Sequence, residues 1–277
     1  MRSATTRSLS AWMVGLQLAL HLLVQGCQDH LASRDPYDTP SDTREQQVDN
    51  QANDPKTVED EPVFENQPLS HWLSQLASEK ADERKEALRA IGAIGPRAAV
   101  AVPKVRKLLH DPDPDVQEWA CAALGRIGPA AKDTVPELEK IILNRKAEDK
   151  VRWAAAVALG NIGPDAVAAT PTLLKALQDS DPWLRWAATE GLAGIGPQAK
   201  GAAAALASAL YDSEYIVRIG AARALVHLAP QIPPKGEPLL SLIRCYEDTS
   251  QYDSVRQKVA EAIKAVDPKV AAKLGIK

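Results

Sequence analysis

Few of the side chains that could do chemistry stand at the spacings chemistry requires. The histidines, His21, His30, His71, His110 and His227, are scattered, and none precedes a glutamate. His110-Asp111 alone joins histidine to a following aspartate, too little for a two-metal cage. Asp111, Asp113 and Asp115 in "DPDPD" begin like a calcium loop. Val116 stands where that loop needs glycine, and Ala122 where it needs glutamate. "GLAGIG" at 191–196 ends an apolar helical run and follows no strand, so it is not a phosphate cradle. Neither G-x-S-x-G nor H-E-x-x-H occurs, and Cys121 and Cys245 belong to no C-x-x-C pair. These residues point to no catalytic nucleophile, no metal and no cofactor, and the chain reads as non-catalytic.

What does recur is an arginine, at Arg84, Arg152, Arg185, Arg218 and Arg256, with Gln117 in its place once. It belongs to a longer period. Gly-Pro stands at Gly95-Pro96, Gly128-Pro129, Gly163-Pro164 and Gly196-Pro197, and Ala229-Pro230 continues the series; the spacings are 33, 35, 33 and 33 residues. Each dipeptide closes a related helical run, as in "CAALGRIGP" and "AVALGNIGP". Glycine there permits a positive φ, and the proline prevents continuation. Seven residues later Pro103, Pro136 and Pro171 open a second helix, where a missing N–H costs nothing. Asp113-Pro114 and Asp181-Pro182 read as N-cap followed by first helical residue. A period of this length with two helices per unit means an all-α, α/α superhelical solenoid. About six helix pairs are expected over 68–267, with a C-terminal cap at 268–277.

The recurring pattern A-x-x-A-x-P-x-L-x-x-x-L-x-D, then V-R-x-x-A-x-x-A-L-G-x-I-G-P, resembles HEAT repeats of the phycobilin-lyase-like type. It is carried best by "AVAATPTLLKALQDSDPWLRWAATEGLAGIGP" and "AEDKVRWAAAVALGNIGP". The first unit departs from it, with Glu83-Arg84 for Val-Arg, and the sixth is longer. The resemblance implies that the arginines staple adjacent units through loop aspartates such as Asp149, Asp179, Asp181 and Asp212. It also implies that the second helix of each pair, helix B, lines the concave surface.

On helix B the residue two after the Val of Val-Arg faces away from the core. In successive units it is Lys85, Glu118, Trp153, Trp186, Ile219 and Gln257. Trp153 and Trp186 are therefore equivalent residues of neighbouring repeats, above small neighbours such as Ala156 and Ala193. An exposed stripe of Trp153, Trp186 and Ile219, flanked by Glu118, Glu190 and Arg223, is the expected site for a protein or peptide partner. The other reading is that these indoles only pack. Trp119 falls on the flank of the core, Trp72 belongs to the first helix and helps to cap the solenoid, and Trp183 is assigned to the turn.

Residues 28–67 hold eleven acidic and three basic residues, while 68–277 holds 28 basic and 25 acidic, too even for a nucleic-acid-binding face. The N-terminus reads as a signal peptide over 1–26, with Arg2 and Arg7 before a short apolar run ending "LVQGC". That ending resembles the lipobox of bacterial lipoproteins, which implies lipidation of Cys27; the alternative is an ordinary secretory signal. Residues 27–67 then read as a disordered acidic linker. The expected protein is an exported, monomeric HEAT-repeat adaptor whose contact with a membrane is through a lipid anchor. A bilin-lyase-like accessory protein holding a small hydrophobic ligand is the alternative.

Overall fold

The computed structural model describes residues 61–277. Cys27, the signal peptide and the linker as far as residue 60 lie outside them. Chain order begins with β1 (Val63–Phe64) and β2 (Gln67–Pro68). Thirteen helices follow: α1 (Leu69–Gln75), α2 (Ala81–Ile94), α3 (Val102–Lys107), α4 (Pro114–Ile127), α5 (Val135–Leu143), α6 (Asp149–Ile162), α7 (Thr170–Ala176), α8 (Pro182–Ile195), α9 (Ala202–Ala209), α10 (Tyr215–His227), α11 (Glu237–Glu247), α12 (Asp253–Val266) and α13 (Pro268–Lys273). Odd-numbered helices up to α11 are the first, or A, helices, and even-numbered ones are the B helices. The described residues thus form six A/B pairs with α13 as the cap.

The junctions follow from the residues. Gly95, Gly128, Gly163 and Gly196 close α2, α4, α6 and α8 with φ of +66°, +77°, +82° and +69°. Their ψ values lie near −140°, from −135° to −148°, a combination that a Cβ would strain. A 3₁₀ stretch opened by the following proline then leads toward the next A helix, as at Gly95–Ala101 and Gly128–Thr134. The Asp113 carboxylate accepts from the Asp115 and Val116 amides, and Asp181 caps α8 in the same way.

Inside each pair the final turns of helix B supply the core. Leu124 and Ile127, Leu159 and Ile162, Leu192 and Ile195, and Leu225 and Leu228 are equivalent and fully buried. The B helices touch their neighbours along their length, and the A helices only lightly. Glycine makes this closeness possible at α6 and α8. A Cβ on Gly194 would stand 2.2 Å from the Gly160 carbonyl oxygen, and one on Gly160 would stand 2.8 Å from that of Glu190. A two-layer stack curves toward its closer-spaced layer, so the B helices line its inner side.

The repeated arginines form a ladder. Arg84 forks onto Asp111 through Nε (2.8 Å) and Nη2 (2.7 Å), and Arg185 forks onto Asp212 with both distances 2.8 Å. Each spans 27 residues into the next unit, and each uses Nη1 for carbonyls of its own turn, such as Asp179 and Ser180 for Arg185. Arg152 differs because its turn is two residues longer. Its Nε donates to the Ile142 carbonyl (3.1 Å), and only Nη2 reaches Asp179, at 2.7 Å. The matching rung for Arg218 is missing. The turn aspartate equivalent to Asp212 is Asp248, which accepts the Ser250 amide as Asp212 accepts that of Glu214, but the longer sixth unit leaves it unbonded to Arg218, whose buried Nε has no hydrogen-bond partner. Stapling by loop aspartates therefore holds at Arg84, Arg152 and Arg185 and stops at Arg218.

One boundary needs correction. Residues 61–67, expected within a disordered linker, form an ordered turn in which Val63 pairs with Pro68 and Phe64 with Gln67. Glu65 and Asn66 carry φ of +49° and +60°, the signs of a type I′ hairpin. The hairpin is held because Phe64 packs edge-on to the buried Trp72, ring centroids 6.4 Å apart. Cys121 and Cys245 are buried free thiols, as expected.

Candidate functional site

The residue two after the Val position lies on the inner edge, near the helix B N-termini. Trp153 there is half-buried, and its Nε1–H donates to Asp181, the carboxylate that caps α8. Ile219 is also half-buried. Trp186 is not the exposed indole expected. It is 8 % exposed, and its Cδ1 lies 3.0 Å from where a Cβ of Gly220 would stand. The missing side chain at Gly220 gives the indole a seat on the next repeat.

The expected direct pairing of Trp153 with Trp186 across repeats is also corrected. Trp183 stands between them, 5.9 Å from the Trp153 ring and 6.3 Å, edge to face, from Trp186. Trp183 precedes the Val position by one residue and so stands three before Trp186, a same-face helical spacing. Its equivalents are Asp82, Asp115, Lys150, Ile216 and Ser254. The two rows together place Trp153, Trp183, Ile216 and Ile219 along one stretch of the edge, with Trp186 as support.

Beyond this stretch, exposed Tyr215 and Tyr252 stack edge to face at 4.7 Å, and Arg218 lies over the Tyr252 ring at 5.6 Å. The Tyr215 hydroxyl bonds Ser254 Oγ at 2.9 Å. Sequence reasoning missed this pair. The available signal was a tyrosine at the start of α10 and another just before α12.

The polar members of the expected site are largely committed to one another. Glu190 and Arg223 pair at 3.3 Å. Burial pushes the Glu190 carboxyl above the usual range, and Arg223 only partly offsets it. Glu118 is half-buried, with Lys150 4.0 Å away, and burial raises it too. Lys150 also bonds Asp115, holding that carboxyl below its ordinary value. Among the described residues, no three His, Cys, Asp or Glu side chains are placed to hold a metal ion. The arrangement offers aromatic and aliphatic contact beside a few oriented charges.

A family model of HEAT repeats matches residues 69–148 and 135–226. The chain belongs to the HEAT-repeat family. No curated protein matches this HEAT-repeat chain closely enough to count as a relative. Among solved structures it is similar to an engineered protein, at 24 % identity and TM-score 0.55, covering 73 % of this chain and 97 % of that one. A designed armadillo repeat protein in complex with the peptide (KR)4 aligns at 21 % identity and TM-score 0.55, over 72 % of this chain and 99 % of that one. The karyopherin Kap121p bound to the SUMO protease Ulp1p aligns at 18 % identity and TM-score 0.60, over 76 % of this chain but 24 % of that one. At these identities the likeness establishes the fold alone.

Proposed function

We propose that this protein is a non-catalytic, monomeric adaptor that binds a protein or peptide segment on the inner edge of its B-helix layer. The observation that carries the reading is the half-buried Trp153–Trp183 pair, seated on Trp186 and continued by Ile216 and Ile219. Rigid aromatic rings with one face in the scaffold lose little entropy on binding, and tryptophan is enriched at binding hot spots. Glu118, Glu190 and Arg223 flank the stripe and set partner polarity and register. The reading is supported by two proteins of similar fold, a designed armadillo repeat protein in complex with the peptide (KR)4 and the karyopherin Kap121p bound to the SUMO protease Ulp1p. The near balance of charge over 68–277 argues against nucleic acid as the partner.

The N-terminal residues support export and a lipid anchor on Cys27, with the acidic segment as a spacer. Cys27→Ser should abolish labelling by a fatty-acid analogue in a bacterial host, and unchanged labelling would remove the anchor from the account. Binding is tested by selecting peptides from a displayed library on the full chain. Trp153→Ala and Trp183→Ala should each weaken selected peptides about tenfold or more, an amount typical of a hot-spot residue. Val167→Ala, at an exposed residue leading into α7, should leave them unchanged.

A further inference from the structure

A second feature lies on the same loop edge, between the third and fourth repeats. A cleft of about 230 Å³ opens where the end of α5, the turn after it and the end of α7 meet the starts of α6 and α8. Ile142 and Leu184 form part of its wall, and Arg145, Arg152, Lys175 and Asp179 line it. Arg152 is 6 % exposed, yet it makes only a single-pronged contact with Asp179, unlike the two-pronged forks of Arg84 and Arg185. Its Nη1 is 3.6 Å from the exposed Asp149. Asp179 is further occupied by the Asp181 amide at 3.1 Å. Arg145 and Lys175 are exposed, and among the described residues neither forms an ion pair.

Three cations therefore line the cleft against the engaged Asp179 carboxylate, with Asp149 paired to Arg152 beside them. The positive excess sits in a concave space where low-dielectric walls strengthen attraction for an anion. The two-residue extension before α6 creates this arrangement. It carries Arg145 into the cleft and turns Arg152 away from the full fork.

We infer that this cleft binds a small, multiply charged oxyanion, a phosphate group, through Arg145 and Lys175, with the engaged Arg152 as a fixed positive charge behind them. Planar guanidinium donors match phosphate oxygens in pairs, and the ammonium adds a point charge. The phosphate comes either as the free ion or as a phosphorylated side chain of a bound partner. This site is independent of the tryptophan stripe.

The test is calorimetric titration of the full chain with inorganic phosphate, and separately with N-acetyl phosphoserine amide, at constant ionic strength. Wild type should bind phosphate saturably. Arg145→Ala/Lys175→Ala should weaken binding at least tenfold without changing the thermal midpoint in phosphate-free buffer, because neither residue belongs to the ladder. Trp153→Ala should bind phosphate as wild type does, which separates this result from the fate of the peptide site. Binding of both probes assigns a phosphorylated side chain as an acceptable ligand, and binding of phosphate alone assigns the free ion. No saturable binding of either probe by wild type, or equal affinity in the double variant, overturns the inference.

Discussion

Arg185 and Asp212 define what one residue pair contributes. Both side chains are nearly buried, at 13 % and 14 % exposure, and their fork joins two repeats that also meet through Glu190–Arg223 and by apolar contact. Removing one partner leaves a charge with little access to water, so Asp212→Ala should cost about 2–3 kcal/mol in urea unfolding. Burial pushes the Asp212 carboxyl up, but the Arg185 hydrogen bond and the Glu214 amide outweigh it and hold it below the usual range. Asp179 is depressed by the Asp181 amide and Arg152 against the same cost of burial. A depressed folded pKa gives stability that is complete above the unfolded value of ~3.9 and is lost as pH falls further. Thermal midpoints should therefore fall below about pH 4, and less steeply in Asp212→Asn. The arginine row was legible in the sequence because it repeats. The broken rung was not, since Asp248 continues the row of turn aspartates and only the structure shows that Arg218 does not reach it.

At the scale of elements, helix spacing is set by residues too small to be distinctive in sequence. Gly194→Ala gains about 1 kcal/mol of helix propensity. It must also displace the backbone of α6, because its Cβ would stand 2.2 Å from a carbonyl oxygen. Overpacking of this kind costs about 1–3 kcal/mol, and here the neighbour is rigid, so net destabilisation of about 1–2 kcal/mol is expected in urea melts. Gly196→Ala meets no atom within 4 Å, so its cost arises from the positive φ alone. The Gly-Pro period revealed the helix pairs, their caps and their order. It could not show that α6 and α8 touch through their backbones, nor that Gly220 makes room for Trp186. It also concealed Trp183, because two rows three residues apart share one face, and attention to a single row assigns the other to the turn. The hairpin at 63–68 was hidden in a polar, acidic stretch whose Phe64 gains its partner only once Trp72 is in place.

For the whole molecule, the repeats build one continuous inner layer, and its loop edge changes character along the stack. Lys85, Asp115, Lys150 and Glu118 form a charged stretch over the first three repeats. Trp153, Trp183, Ile216, Ile219, Tyr215 and Tyr252 make the rest largely apolar. A partner segment lying along the edge is therefore expected to be amphiphilic end to end, with charged residues toward the first repeats. The most direct measurement is ¹⁹F NMR of the full chain labelled with 5-fluorotryptophan, titrated with a peptide selected on it. Binding on the inner edge requires the Trp153 and Trp183 resonances to shift with saturation while that of Trp72, buried beneath the hairpin, stays still. Saturable peptide binding that leaves Trp153 and Trp183 unmoved would contradict the account.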